Sequence, residues 1–139
     1  MIYLDTEFNG FGGKLISIGL VSSVTGKEFY GVLPLPIKVH PWVQEHVVPY
    51  LIVEPVQWHE LRHKLFNYLK FHDGEPIVAD WPADIEHLMS LLYEDNGIGF
   101  NLELDIRLIN SGEIKSEFPH NALSDAKALM QWHLLNQQK

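Results

Sequence analysis

The tightest constraint on this chain lies in its first 33 residues. Three short strand-like runs follow one another there, with only glycine-bearing turns between them. Met1–Glu7 opens apolar and ends on charge. Leu15–Ser22 alternates Ile16, Ile18 and Leu20 with smaller or polar residues, the two-residue period of a strand. Glu28–Leu33 follows the turn at "TGKE". Three short strands joined in this way predict an antiparallel meander.

Downstream the period changes. Residues 34–41 hold three prolines and read as loop. Trp42–Val48 reads as a short helix stopped by Pro49. Pro55–Lys70 places Trp58, Leu61, Leu65, Tyr68 and Leu69 on one helical face. Pro76–Ala79 is a short apolar strand. Pro82 opens a helix that runs to about Tyr93 and closes over 94–99. Phe100–Leu104 is expected as the fifth strand, Asp105–Asn110 as a short helix, and residues 121–137 as the last helix. Strands first, then alternating helix and strand, predict an α/β fold: a mixed sheet with helices on both faces. The fourth and fifth strands, linked by a helix, should be parallel. With 139 residues, 46% of them hydrophobic, one domain over 1–139 is expected.

The first strand poses a chemical question. In a strand, residues i and i+2 lie on one face, so Asp5 and Glu7 aim at the same place. Two like charges side by side repel unless a cation joins them. Magnesium and similar hard cations are held by a few carboxylates together with water and substrate phosphate. Other acids must then converge on the same point. Asp84 stands in the first turn after the fourth strand, at the end of the sheet where sites form in open α/β folds. A first-turn acid also complements the helix dipole, so Asp84 alone is no signature. "FPHNALSDAKAL" adds His120 just before the last helix and Asp125 near its start. A histidine beside acids and metal can take a proton from water near neutral pH. The plainer reading makes Asn121 or Ser124 the helix cap and Asp125 a dipole partner.

Net charge bears on this directly. The chain carries 10 basic and 18 acidic side chains, a formal −8. That argues against broad binding along duplex nucleic acid, which needs a basic footprint. It leaves room for acids gathered around divalent ions. There is no cysteine, which excludes disulfides, thiolate metal sites and a cysteine nucleophile. No charged n-region or long apolar h-region opens the chain. No apolar stretch approaches the roughly 20 residues of a membrane span. A cytoplasmic protein without a membrane partner is expected.

Taken together and in this order, the D-x-E of Asp5 and Glu7, the later Asp84, and the H-x-x-x-x-D of His120 and Asp125 resemble the DEDDh family of 3′-to-5′ exonucleases. That family includes proofreading exonuclease subunits, RNase T and oligoribonuclease. The likeness runs from residue 2 to about residue 130. The stretches "LDTEF", "LISIGLVSS", "EFYGV" and "PWVQEHVVPYL" are most similar to a small bacterial exoribonuclease-like family within it. The resemblance implies an RNase H-like fold and a two-metal reaction with Mg2+ or Mn2+. Asp5, Glu7, Asp84 and Asp125 would be the metal-binding acids and His120 the general base. The substrate would be single-stranded or 3′-overhanging RNA, with DNA as the other strand type, and the product a nucleoside 5′-monophosphate. Relatives are commonly homodimers. Two positions depart from the pattern: Asp80 stands where many relatives carry asparagine, and Phe8 where proofreading exonucleases usually carry threonine.

The loop "FNGFGG" follows the acids directly. Its glycines permit close backbone approach to a ligand. Phe8, Asn9, Phe11 and Trp81 are the candidate substrate contacts, the aromatics by stacking on a base. Trp42, Trp58 and Trp132 are expected in the core or in a dimer contact, and His40, His46, His72, His87 and His133 at the surface or its boundary. Arg62, Lys64 and Lys70 read as a solvated helix face, with contact to a nucleic-acid backbone as the second reading. A reading from another class rests on "HELRH", His59–His63, which matches H-E-x-x-H. On a helix its histidines could hold zinc with Glu60 as base, making a metallopeptidase; no convincing third ligand follows, and Glu86, the candidate for it, has no support in the pattern. A third reading is a catalytically silent nucleic-acid-binding module on the same fold.

Overall fold

A computed structural model describes residues 1–93 and 101–137. β1 (Ile2–Phe8), β2 (Leu15–Ser22) and β3 (Glu28–Val32) form the antiparallel meander. β4 (Ile77–Ala79) then pairs parallel to β1, and β5 (Ile106–Leu108) parallel to β4. The sheet order is β3-β2-β1-β4-β5, a five-stranded mixed sheet with β1 at its centre.

Side-chain alternation along β1 sorts residues to two cores. Ile2 and Leu4 join Ile18, Leu20 and Ile77 on one face. There they meet Leu61, Leu65 and Leu69 of α2 (Trp58–Phe71) and Leu88, Leu91 and Leu92 of α3 (Pro82–Leu92). Tyr3 points the other way and packs with Val21, Val78, Ala126 and Leu129, the last two from α4 (Ala122–Asn136). Every residue of β2 is buried, because helices cover both faces and strands flank both edges. Two glycines set the helix distances. A Cβ on Gly31 would lie 2.1 Å from Leu61 Cδ1, so α2 crosses β3 there. A Cβ on Gly19 would lie 2.4 Å from the Leu123 nitrogen, so the first turn of α4 rests directly on β2.

Four expectations are corrected. The fifth strand is not at Phe100–Leu104 but at Ile106–Leu108, where a short helix was expected. Leu102 and Leu104 alternate because they pack against the α2/α3 core from an extended segment outside the ladder. Residues 94–100, including Phe100 and the helix-closing stretch 94–99, lie outside the described residues. α1 covers Pro41–His46, and Pro49 does not stop it. Pro49 sits inside a separate 3-10 turn, Val48–Tyr50, where its fixed φ suits an early helical position. Arg62 is not on a solvated face. It is buried, its Nε donates to the Leu91 carbonyl at 2.9 Å, and its guanidinium also meets the Tyr93 carbonyl. A cation there satisfies carbonyls that the end of α3 leaves open. His72 is buried rather than at the surface, bonded to Thr25 and to the Tyr68 carbonyl.

Among the described residues, no helix is long and apolar enough to cross a membrane.

Candidate metal centre

β1 has seven residues and β4 has three, and they pair only at Ile2 and Tyr3. Beyond that point the β4-facing edge of β1 has no ladder partner among the described residues. Asp84, in the first turn of α3, fills the gap. Its Oδ1 accepts from the Thr6 backbone N–H at 3.1 Å and from Thr6 Oγ1 at 2.6 Å. Thr6 thus holds Asp84 at the sheet's open end, while Asp5 and Glu7 project from the opposite face of the same strand.

α4 brings in the remaining groups on that opposite face. Asp5 is registered against Gly19, the residue that lets α4 touch the sheet. Asn121 caps α4, its side chain accepting from the Ser124 N–H at 3.0 Å. One turn in, Asp125 Oδ2 accepts from the His120 backbone N–H at 3.0 Å. His120 adopts a left-handed φ of 69°, so the turn before α4 is held by Asp125 itself.

The outcome is two groups of ligand atoms, each mutually within 4.8 Å: Asp5, Asp80 and Asp84, and Glu7, His120 and Asp125. All five residues expected at the centre from the sequence come together here. Asp80, the residue after β4, joins them, steadied by Ser111 Oγ at 2.6 Å.

The electrostatics of the centre are unfavourable on protein groups alone. Asp84 is only 2% exposed. Asp5 Oδ2 and Asp84 Oδ2 are buried with no hydrogen-bond partner among the described residues, and such atoms cost free energy unless something compensates them. Burial, then the charges of Asp84, Glu7, Asp125 and Asp80, push the Asp5 carboxyl well above the ordinary range. Burial, then the charge and hydrogen bond of Asp125, raise Glu7 to about 8. Burial raises Asp84 to about 7, against the lowering effect of the Thr6 hydrogen bonds. Asp125 is raised too, mainly by burial, with Ser116 and the His120 N–H opposing. A divalent cation would relieve all of these at once. The donor set fits one: carboxylate oxygens with a single imidazole and no sulfur, the preference of magnesium or manganese.

The centre opens on a cleft of about 660 Å³ that Phe8, Phe11, Trp42 and Trp81 help to line. Phe11 is 99% exposed and Trp81 56%. Phe8 is stacked on His87 with ring centroids 4.8 Å apart, so one face of its ring is already covered. Asn9 is not on the cleft wall. Its amide ties the loop to the chain beyond β3, donating to the Lys38 carbonyl at 2.8 Å and accepting from the His40 N–H at 2.7 Å. Trp42, expected in the core or a dimer contact, is 47% exposed and walls the cleft. Val43 and Val47 anchor this segment to Ile16. Trp42 and His46, four residues apart on the other side, stack at 4.6 Å. The His120 ring meets Trp42 edge-on at 5.0 Å. Trp58 is also more exposed than expected, at the rim of another groove.

The H-e-x-x-H segment lies on α2 away from these groups. His59 and His63 are exposed, and Glu60 pairs with Lys64 at 3.4 Å. Among the described residues, neither histidine nor Glu86 belongs to a grouping that could hold a metal.

No protein-family model matches the chain, and no curated protein matches it by sequence.

Proposed function

We propose that this chain is an RNase H-like, metal-dependent 3′-to-5′ exonuclease of the DEDDh type, acting on single-stranded or 3′-overhanging RNA. The observation that carries the reading is the pair of buried, unpartnered oxygens, Asp5 Oδ2 and Asp84 Oδ2, among five converging acids with one histidine beside them. Such a cluster is costly as it stands and becomes favourable around divalent cations.

Asp5, Glu7, Asp84 and Asp125 would hold the ions, with Asp80 beside Asp5 and Asp84. When bound, Mg2+ or Mn2+ supplies a nucleophile from water at neutral pH and stabilises charge on the phosphate and the leaving oxygen. His120 takes a proton from the attacking water at a ring nitrogen, and its backbone N–H to Asp125 fixes where that ring stands. Thr6 keeps Asp84 oriented from outside the metal-binding set. The aromatic cleft takes the terminal nucleoside, whose base lies against Trp42, Phe11 or Trp81. The product is a nucleoside 5′-monophosphate.

The test uses RNA and DNA strands labelled at either end, incubated with magnesium, manganese, zinc or chelator. Stepwise shortening from the 3′ end that requires magnesium or manganese is expected. Intact strands under every condition, at protein concentrations where the fold is verified, would refute the reading.

A further inference from the structure

The acids do not sit in a blind pocket. Asp5, His120 and Asp125 line the aromatic cleft and also a second cavity of about 560 Å³ on their other side. That second cavity shares Lys115 and Ala128 with a third, of about 490 Å³, which runs along α4 past Phe118 and Tyr50. The three cavities adjoin in sequence, with the acids at the junction of the first two.

The two directions away from the acids differ in charge. Among the described residues, the aromatic cleft is lined by no lysine or arginine. On the other side, Lys115 borders both cavities. It lines the second cavity together with Asp5, Asp80 and Asp125. Among the described residues it forms no ion pair, whereas Lys127, further along, is held by Glu28 at 2.9 Å. Glu117 is the acid on the outer wall. The loop that presents Lys115 is built rather than loose. Ser116 Oγ meets Ser124 Oγ at 2.8 Å, and the Phe118 N–H donates to Ser124 Oγ at 3.0 Å. Both tie it to the first turn of α4, the same turn that carries Asp125.

A nucleic-acid strand is asymmetric about its last phosphodiester. Toward the 3′ end there is one nucleoside and no further phosphate. Toward the 5′ end every step adds a negative charge. In a protein of net charge −8, the second direction requires a cation and the first does not. Building on the exonuclease reading, we infer that the 3′-terminal nucleoside occupies the aromatic cleft. The upstream strand then leaves over Lys115, which binds the first phosphate 5′ of the scissile one. Lys115 is therefore a substrate-binding residue that sets a preference for chains of three or more nucleotides.

The experiment compares a dinucleoside monophosphate, which has only the scissile phosphate, with the trinucleotide that adds one phosphate upstream. Both carry a 5′-hydroxyl and are assayed with manganese. In the wild type, kcat/KM rises from the shorter to the longer substrate. In Lys115→Gln that rise shrinks about tenfold, the scale of one charge-assisted contact, and Lys115→Arg restores it. The trinucleotide's salt dependence also flattens in Lys115→Gln. Equal losses on both substrates, or no loss on either, would overturn the assignment of Lys115 while leaving the exonuclease reading standing. No cleavage of either substrate by the wild type would overturn the exonuclease reading and this inference with it.

Discussion

Two segments of this chain have the composition of a metal site, and they end in opposite environments. His59, Glu60 and His63 are contiguous, lie on α2 and are exposed, with Glu60 already paired to Lys64. Asp5, Asp80, Asp84 and Asp125 are scattered over 120 residues, yet they meet around buried oxygens that have no hydrogen-bond partner among the described residues. The difference is one of solvation. Exposed ligands lose little by having no ion, because water serves them. Buried carboxylates packed together are a standing cost that a cation removes.

The comparison breaks most sharply at Asp5. Asp5→Asn should lower kcat by about 10³-fold or more, beyond the 10–100-fold typical of outer-shell partners. It should also raise the melting temperature of the chelated protein at a pH where the cluster is ionised, since one charge then leaves it. Calorimetry alongside the strand-shortening assay checks both, and an active Asp5→Asn protein would remove it from the metal-binding set. Thr6→Val comes next. It keeps shape but deletes the 2.6 Å hydroxyl bond to Asp84, and about a 10–100-fold loss in metal affinity or turnover is expected, read by titrating manganese against activity.

The third effect is on stability against pH. Glu7 and Asp84 ordinarily titrate at 4.5 and 3.8 but here are raised to about 8 and about 7. Between those limits the folded chain holds protons that the unfolded chain has released. Its stability therefore falls as pH rises through that window when chelator is present. Magnesium or manganese should restore the melting temperature near pH 8 and have little effect near pH 5, where protons already occupy the site. A chelated protein whose melting temperature climbs over this range would contradict the raised carboxyls. The smallest effect belongs to the exposed motif. Glu60→Gln should change stability by less than about 0.5 kcal/mol, the scale of an exposed helix pair, and zinc should not shift the melting temperature through it.

Much of this was legible in the sequence because it rests on local periods. The meander followed from two-residue alternation, and Asp5 and Glu7 were bound to share a face once β1 was a strand. What could not be read depends on which elements become neighbours. Leu102 and Leu104 alternate as a strand does, but their pattern reflects packing on α2 and α3, and the ladder forms at Ile106–Leu108 instead. Arg62 looked solvated because charge usually is; it is buried because the end of α3 presents carbonyls to it. Thr6 matters only because β4 is short, and Gly19 only because α4 lands on it. Trp42 does carry a local signal. Trp42 and His46 stand four apart, opposite the anchoring Val43 and Val47, which marks an aromatic pair turned away from the core.

The placement of two acids on β1 ties the proposed chemistry to the middle strand of the sheet. As the middle strand, it contributes Ile2 and Leu4 to one core and Tyr3 to the other, so its amides should be among the slowest to exchange with deuterium. Fraying at an edge strand or a loop would leave the acids in place. Thermal inactivation should then track cooperative melting of the whole sheet and not precede it.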